Sequence, residues 1–334
     1  MATVLVTGAA GNLGRSVVTR ILERGDVVRA FDLPTRVNEK RLREFGPRVE
    51  IALGDVTNVD DVARAVRGVD AVAHLAGIIP PLSERHPGRT QAVNAKGTRV
   101  LIDAAEAHAP GARIVFASSC SVHGPGQAAR GPATGDSPTE ATDAYTSSKL
   151  DAEDALRASS LDWTILRVSA AIEGSPATQD PIVLRLMFEY AADHPIELVH
   201  GADVATAFTN ALFEPRASRR VFPIAGGPGC RLTQRGLMEM SFGALGIRSL
   251  PLELHGTAPN YTCFMDTTES NEILRFQHHG LDAIRNDLLA NLGVVGKLAR
   301  VVHPLIRLYL LRLSGPYNGA PSRPTWQAHI DAGH

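Results

Sequence analysis

The sequence predicts a doubly wound parallel α/β sheet with a smaller C-terminal substrate lid, and three observations carry that expectation. The first is an opening unit that fits within thirty-two residues: an apolar strand, three glycines three apart, an amphipathic helix, and a second strand ending in an acid. The second is the recurrence of short β-branched and apolar runs, separated by helical patterns, as far as Arg167. The third is the hydroxyl-bearing and small residues directly after several runs, where open parallel sheets present their carboxyl edge to a ligand.

Thr3 to Thr7 reads as a strand buried on both faces. Gly8 permits a tight turn, Gly11 lets backbone approach a pyrophosphate, and Gly14 lets the helix from Arg15 to Arg24 pack closely on the sheet. Gly8, Gly11, Asn12, Leu13 and Gly14 therefore form a candidate dinucleotide loop at a helix N-terminus, where free N–H groups meet phosphate charge. The strand Val27 to Phe31 leads to Asp32, a carboxylate placed to accept both ribose hydroxyls of an adenosine and to repel a 2′-phosphate. That favours NAD. NADP is the alternative, because Arg36 would meet a 2′-phosphate if its loop folded back. Together these features predict a Rossmann-type sheet.

The third strand, Val49 to Leu53, is closed by Gly54-Asp55-Val56. Asp55 can accept from an adenine amino group or cap the helix beginning near Val59, and Val56 lies beside it. The fourth strand starts at Ala71 and ends in Leu75-Ala76-Gly77, small enough to bring backbone close to a cofactor; His74 within it reads as a satisfied core histidine. A long helix follows from Gln91 to His108, with Asn94 in its first turn. The fifth strand, Ile114 to Ala117, runs into Ser118-Ser119-Cys120-Ser121, hydroxyls better suited to a ligand crevice than to packing. Residues Gly124 to Asp143 form a covering loop. Tyr145 and Lys149 then open a helix at a spacing of four, on one face. A lysine ammonium near a phenol, together with a nicotinamide, favours phenolate and makes the tyrosine a usable acid–base.

A sixth strand, Trp163 to Arg167, completes the regular part. Helices are expected at Ile182 to Ala192, up to Leu212, and at Thr233 to Leu245, with strands at Glu197 to His200 and Val221 to Ile224. The division is a dinucleotide-binding domain over 1–169 with sheet returns near 197–225, an interleaved lid over 170–290, and a helical extension over 291–334. The extension's stripe from Val294 to Leu313, interrupted by Lys297, Arg300, Arg307 and Arg312, fits packing on its own domain first, a homodimer contact second, and a peripheral membrane contact third.

Bulk properties narrow the class. Thirty-four basic against 35 acidic residues give a net charge of −1, so no nucleic-acid partner is expected. Three scattered cysteines suit neither a disulfide framework nor a zinc site, and no metal is expected. The first strand begins at once, and no apolar run reaches about eighteen residues. The expectation is a cytoplasmic protein.

The motifs together resemble the extended class of short-chain dehydrogenase/reductases, the NAD-dependent epimerase/dehydratase family. They are Thr7-Gly8-x-x-Gly11-x-x-Gly14, Gly54-Asp55-Val56, His74-Leu75-Ala76-Gly77, Val93-Asn94-x-x-Gly97-Thr98, Ser118-Ser119-x-x-Val122-His123-Gly124, Tyr145-x-x-x-Lys149 and Val199-His200-x-x-Asp203-Val204-Ala205. The resemblance implies that Ser119 hydrogen-bonds the reacting oxygen. It makes Tyr145 the general acid–base, and Lys149 the group that lowers the tyrosine pKa and holds the nicotinamide ribose. It further implies that Asp55 and Val56 contact adenine, that Asn94 contacts the cofactor, and that Ser169 lies near the nicotinamide. His123 stands where the family usually has Tyr.

Sugar-nucleotide members of that family carry diphosphate-gripping arginines. Neither the stretch Asp193 to Leu198 nor Leu252 to Met265 contains one, although Arg185 or Arg248 offers another route. Ile78 and its neighbours Ile79 to Leu82, with Leu184, Met187 and Phe188, suit an apolar body. Ile78, Ser121, His123 and Met187 are the candidate substrate contacts. The expected function is hydride transfer between a nicotinamide and a small, largely apolar alcohol or ketone. The alternatives are a nucleotide-sugar epimerase or dehydratase, and a non-catalytic NAD(P)-binding sensor or scaffold.

Overall fold

The structure is a computed structural model, and it describes residues 1–172, 181–243, 245–247, 250–258 and 261–319. Its strands are β1 (Thr3–Thr7), β2 (Val27–Asp32), β3 (Val49–Leu53), β4 (Ala71–His74), β5 (Arg113–Ser119), β6 (Asp162–Val168), β7 (Ala170–Ile172), β8 (Pro195–His200), β9 (Arg220–Ile224) and β10 (Arg231–Thr233). Seven make one sheet in the order β3-β2-β1-β4-β5-β6-β9, every pairing parallel. The order reverses between β1 and β4, which opens a crevice at their carboxyl ends.

The helices are α1 (Asn12–Glu23), α2 (Arg36–Arg43), α3 (Val59–Val66), the single turns α4 (Leu82–Arg85) and α5 (Pro87–Thr90), α6 (Gly97–His108), the single turn α7 (Gln127–Arg130), α8 (Ala144–Ala158), α9 (Pro181–Glu189), α10 (Gly201–Phe213), α11 (Gln234–Gly243), α12 (Thr268–Leu274), α13 (Leu281–Val301) and α14 (His303–Leu313). They cover both faces of the sheet because successive strand residues point to opposite sides. Val4 and Val6 pack with Val17, Ile21, Val204 and Phe208 on one face. Leu5, Val72, Ile114 and Phe116 pack with Val66, Leu101, Ile102 and Leu156 on the other.

Two expectations are corrected. The helix from Gln91 begins as a wider π-helical turn, Gln91–Lys96, before α6. There the Thr98 hydroxyl donates to the Asn94 carbonyl, and the Asn94 side chain turns away to bind the chain at Ile78. The sheet return expected near Glu197 does not join the large sheet. β8 pairs in parallel with β7 and antiparallel with β10 in a separate three-stranded sheet, and β9 alone occupies the edge beside β6. β7 follows β6 and β10 follows β9, so the small sheet grows from the carboxyl ends of the large one.

Candidate active site

A cleft of about 440 Å³ lies at the carboxyl ends of β1 to β4, lined by Gly8, Gly11, Asp32, Asp55, Val56 and Gly77, among others. Gly8 has φ +69°, and a Cβ there would stand 2.8 Å from the Ala76 nitrogen. A Cβ on Gly14 would stand 2.1 Å from the Gly8 carbonyl oxygen, so only glycine lets α1 start so close to β1. The helix begins after Gly11, which lines the cleft, and its first N–H groups have no side-chain cap. Asn12 is exposed at that end, and Leu13 packs on the core below.

Asp32 is held by its neighbours: one oxygen accepts from the Ala10 N–H (2.8 Å), the other from the Leu33 N–H (2.8 Å) and Asn38 Nδ2 (2.9 Å). Arg36 is exposed in the first turn of α2 and does not line the cleft. Two basic groups do line it, Arg41 and Arg89, neither singled out from the sequence; Arg41 donates to the Ala10 carbonyl at 3.3 Å. Asp55 is not a helix cap: it accepts from the N–H and hydroxyl of Thr57, while Asn58 caps α3. Val56 is buried, and a Cβ on Gly97 would meet it at 2.9 Å. The Leu75 and Ala76 N–H groups both donate to Thr7 Oγ1 (3.2 Å). His74 is fully buried between the hydroxyls of Thr7 (2.7 Å) and Thr98 (2.9 Å), and burial, with the Lys149 charge, pushes its pKa down to about 3. It is a core histidine.

Beside the cleft, α8 is started by Asp143, which forms a reciprocal capping box with Thr146. This fixes the first turn, where Tyr145 is buried with its phenol close enough to the Ser119 hydroxyl, at the tip of β5, for that group to lower its pKa. Ser119 also donates to Ser121 Oγ at 3.2 Å. Lys149 Nζ donates to the Ala117 carbonyl (2.7 Å) and lies 5.8 Å from the Tyr145 ring centre. A Cβ on Gly77 would reach within 3.5 Å of that ammonium and 3.2 Å of Asn94 Oδ1, so the lysine borders the end of the cleft. Asn94 accepts from the Ile78 N–H (2.7 Å) and donates to the Ile78 carbonyl (2.9 Å) and Ser148 Oγ (3.0 Å), which clamps the chain at Ile78. Burial raises the Tyr145 pKa, opposed by the Ser119 hydroxyl; burial lowers that of Lys149 to about 8, opposed by Glu153. The protein's own groups thus favour the protonated phenol.

Sequence reasoning missed the support behind this face. Tyr145, Lys149 and Glu153 lie four apart on α8, and three consecutive residues of β5 meet them: Ser119 meets Tyr145, Ala117 meets Lys149, and Ser118 donates to Glu153 at 2.6 Å. Arg167 on β6 holds both oxygens of Glu153, at 3.1 and 2.8 Å, and Arg157 adds a third guanidinium contact at 2.9 Å. Burial pushes the Glu153 carboxyl up, but Arg167 and Ser118 outweigh it and hold it below its usual range. The available signal was spacing: an acid one turn beyond Lys149, and an arginine ending the sixth strand.

Ser169 follows β6, buried, with its hydroxyl unpartnered among the described residues and its N–H donating to the Ile224 carbonyl. Met187 is half-buried beside the lid clusters, and its carbonyl accepts from Gln234 Nε2. His123 departs from the expected pocket wall. It has no exposed surface, its Nδ1 lies 3.0 Å from the Pro138 carbonyl of the covering loop, and burial takes its pKa to about 4. Arg185 is exposed on α9, and Arg248 lies outside the described residues. The glycine cradle at Gly8 and Gly77 and the orphaned Ser169 hydroxyl fit a dinucleotide lying along the strand tips.

Comparisons with known proteins bear on the family and the fold. A family model described as NAD(P)H-binding matches residues 8–215. A 3-beta-hydroxysteroid dehydrogenase of Mycolicibacterium neoaurum is 32% identical over 206 residues, covering 60% of this chain and 54% of that protein. UDP-glucose 4-epimerase 3 of Oryza sativa subsp. japonica is 34% identical over 167 residues, covering 47% and 44%. The chain spans about half the length of the curated relatives it matches. Among solved structures, a short-chain dehydrogenase/reductase superfamily protein from Agrobacterium tumefaciens with bound NAD superposes with a TM-score of 0.72 at 22% identity, covering 90% of this chain and 99% of that one. UDP-glucose 4-epimerase from Bifidobacterium longum, in complex with NAD+ and UDP, gives 0.70 at 22% identity, with 87% and 98% covered. The glycine cradle, the parallel sheet and the matched family model lead to one assignment: this chain belongs to the NAD(P)H-binding family and has the fold of the short-chain dehydrogenase/reductase superfamily protein it superposes on.

Proposed function

We propose that the chain is an NAD(P)-dependent oxidoreductase, NAD preferred, acting on a small, largely apolar alcohol or ketone. The observation that carries the reading is the convergence of Ser119, Tyr145 and Lys149 beside Gly77, at the end of the cleft. A bound nicotinamide supplies or takes the hydride. For ketone reduction, Tyr145, kept protonated by burial, gives its phenolic proton to the carbonyl oxygen as hydride reaches the carbon. For alcohol oxidation the same atoms run in reverse, and the phenolate takes the hydroxyl proton. Ser119 donates a hydrogen bond to that oxygen. Lys149 holds the nicotinamide ribose and supports the phenolate. Asp32, Asp55 and Val56 hold the adenosine end.

An apolar substrate is supported by Ile78, clamped at the cleft, and by the exposed Ile79 and Leu82 that follow it; Leu184 and Phe188 are taken up in the lid's own core. The hydroxysteroid dehydrogenase relatives point the same way. The rice relative keeps the nucleotide-sugar reading as the alternative, and the lack of diphosphate-gripping arginines in the expected places weighs against it. The deciding experiment follows nicotinamide absorbance with panels of alcohols, ketones and nucleotide sugars, with product analysis. Net NAD-dependent turnover of an apolar alcohol is the expected result. Conversion of a nucleotide sugar without net cofactor change, and no activity on simple carbonyls, would sink the proposal.

A further inference from the structure

α14 is apolar on two sides and covered on one. Leu310 and Leu313 are buried with Leu184, Phe188, Met238 and Phe242, and Ile306 packs against them. On its other side Leu305, Leu308 and Tyr309, spaced i, i+3 and i+4, are 68%, 44% and 46% exposed. Two more exposed apolar residues lie on turns at the C-terminal end of the helix. Leu252 lies in the turn Leu252–Leu254, joined to the end of α14 by the Ser314 hydroxyl, which donates to the Leu254 carbonyl at 2.8 Å; Tyr317 lies in the turn Pro316–Asn318 packed against it. These five lie on α14 and the two turns at its C-terminal end, whereas the six other large exposed apolar residues described are spread from Met1 to Leu82. An exposed apolar helix side of this kind marks an interaction surface.

Charge narrows the partner. Residues 288–319 contain Lys297, Arg300, Arg307 and Arg312 and no acid, in a chain of net charge −1. Arg307 and Arg312 are exposed on α14 itself; Glu253, next to Leu252, is the acid at the margin. A second copy meeting this surface about a two-fold axis would bring like charges together. An anionic lipid surface would not: leucine and tyrosine enter the headgroup boundary while the arginines meet phosphate. No helix among the described residues is long and apolar enough to cross a membrane, so the contact lies on the surface. We infer that α14, with the turns at Leu252–Leu254 and Pro316–Asn318, is a peripheral docking surface for an anionic lipid bilayer. The inference is independent of the chemistry proposed above.

The test is flotation of the full chain with vesicles of phosphatidylcholine alone and of phosphatidylcholine mixed with phosphatidylglycerol, at low and high salt. The expected result is binding to the mixed vesicles that weakens with salt. Leu305→Glu/Leu308→Glu should bind at least about tenfold more weakly, and Arg307→Glu/Arg312→Glu should lose the preference for anionic lipid. Both variants should melt cooperatively and retain NAD binding. Failure of the wild-type chain to bind mixed vesicles, or unchanged binding by both variants, overturns the proposal. A wild-type dimer that ignores vesicles and is split by the leucine substitutions would assign the surface to self-association instead.

Discussion

The carboxyl edge of the large sheet and the C-terminal cap each bury a carboxylate, and they pair it in different ways. Glu153 lies on α8 and is met by Ser118 and Arg167 from β5 and β6, the strands on either side of that helix in the chain. Glu197 lies on β8 and is met by the N–H groups of Gly227 and Met265 and by Arg231 Nε, from segments 30 to 68 residues away. Both satisfy one requirement, that a buried charge be paired and hydrogen-bonded. The edge meets it with consecutive units of a repeating βαβ pattern. The cap meets it with chain returns that no local period announces.

The largest expected effect tests what the edge is for. Tyr145→Phe should lower turnover by roughly 10²–10⁴-fold while calorimetry finds NAD affinity near wild type. Loss of binding in step with turnover would make Tyr145 a part of the cofactor cradle rather than the proton carrier.

The two carboxylates can be compared directly by chemical denaturation. Glu153→Gln should cost about 3–5 kcal/mol, because it leaves Arg167, whose side chain is 3% exposed, without its counter-charge. Glu197→Gln should cost less, because the Arg231 side chain retains 26% exposure and water can take over. Equal losses would break the contrast. Glu153 also raises the pKa of Lys149, which is about 8 in its presence. The lysine is charged below that pH and neutral above it. A Glu153→Gln protein that folds should therefore show the alkaline limb of kcat/KM at lower pH than wild type.

A smaller effect is expected at the adenosine end. Asp32→Ala should reduce the kcat/KM preference for NAD over NADP by about tenfold, since it removes the charge that repels a 2′-phosphate and leaves Arg41 lining the cleft. An unchanged ratio would move cofactor selection to another residue.

The gentlest test uses His74. Its pKa is about 3 in the folded chain against an ordinary 6.5. The unfolded chain therefore binds the proton first as pH falls. The stability contributed by the neutral ring is fully present above pH 6.5 and is lost progressively toward pH 3, with a slope of at most about 1.4 kcal/mol per pH unit. Thermal melts from pH 7 to pH 5 should show this decline in wild type and a shallower one in His74→Gln. Identical slopes would place the acid sensitivity elsewhere, in the cap for example.

Local sequence was enough for the parallel sheet and the place of its ligand edge. Strand period, glycine spacing and the hydroxyls after β5 are local properties, and a parallel sheet brings all its strand ends to one side. It also placed Tyr145 and Lys149 on one helical face, because four residues make about one turn. Tertiary structure decided what depends on neighbours distant in the chain. It chose Arg41 over Arg36 at the cleft and gave the capping of α3 to Asn58 rather than Asp55. It set His123 behind the pocket, and it drew β8 into a separate sheet. It also turned two apolar sides of α14 to opposite surroundings, which a one-dimensional stripe of leucines cannot distinguish. Burial is a property of the assembled molecule, and burial fixes which charges must be paired and which pKa values move.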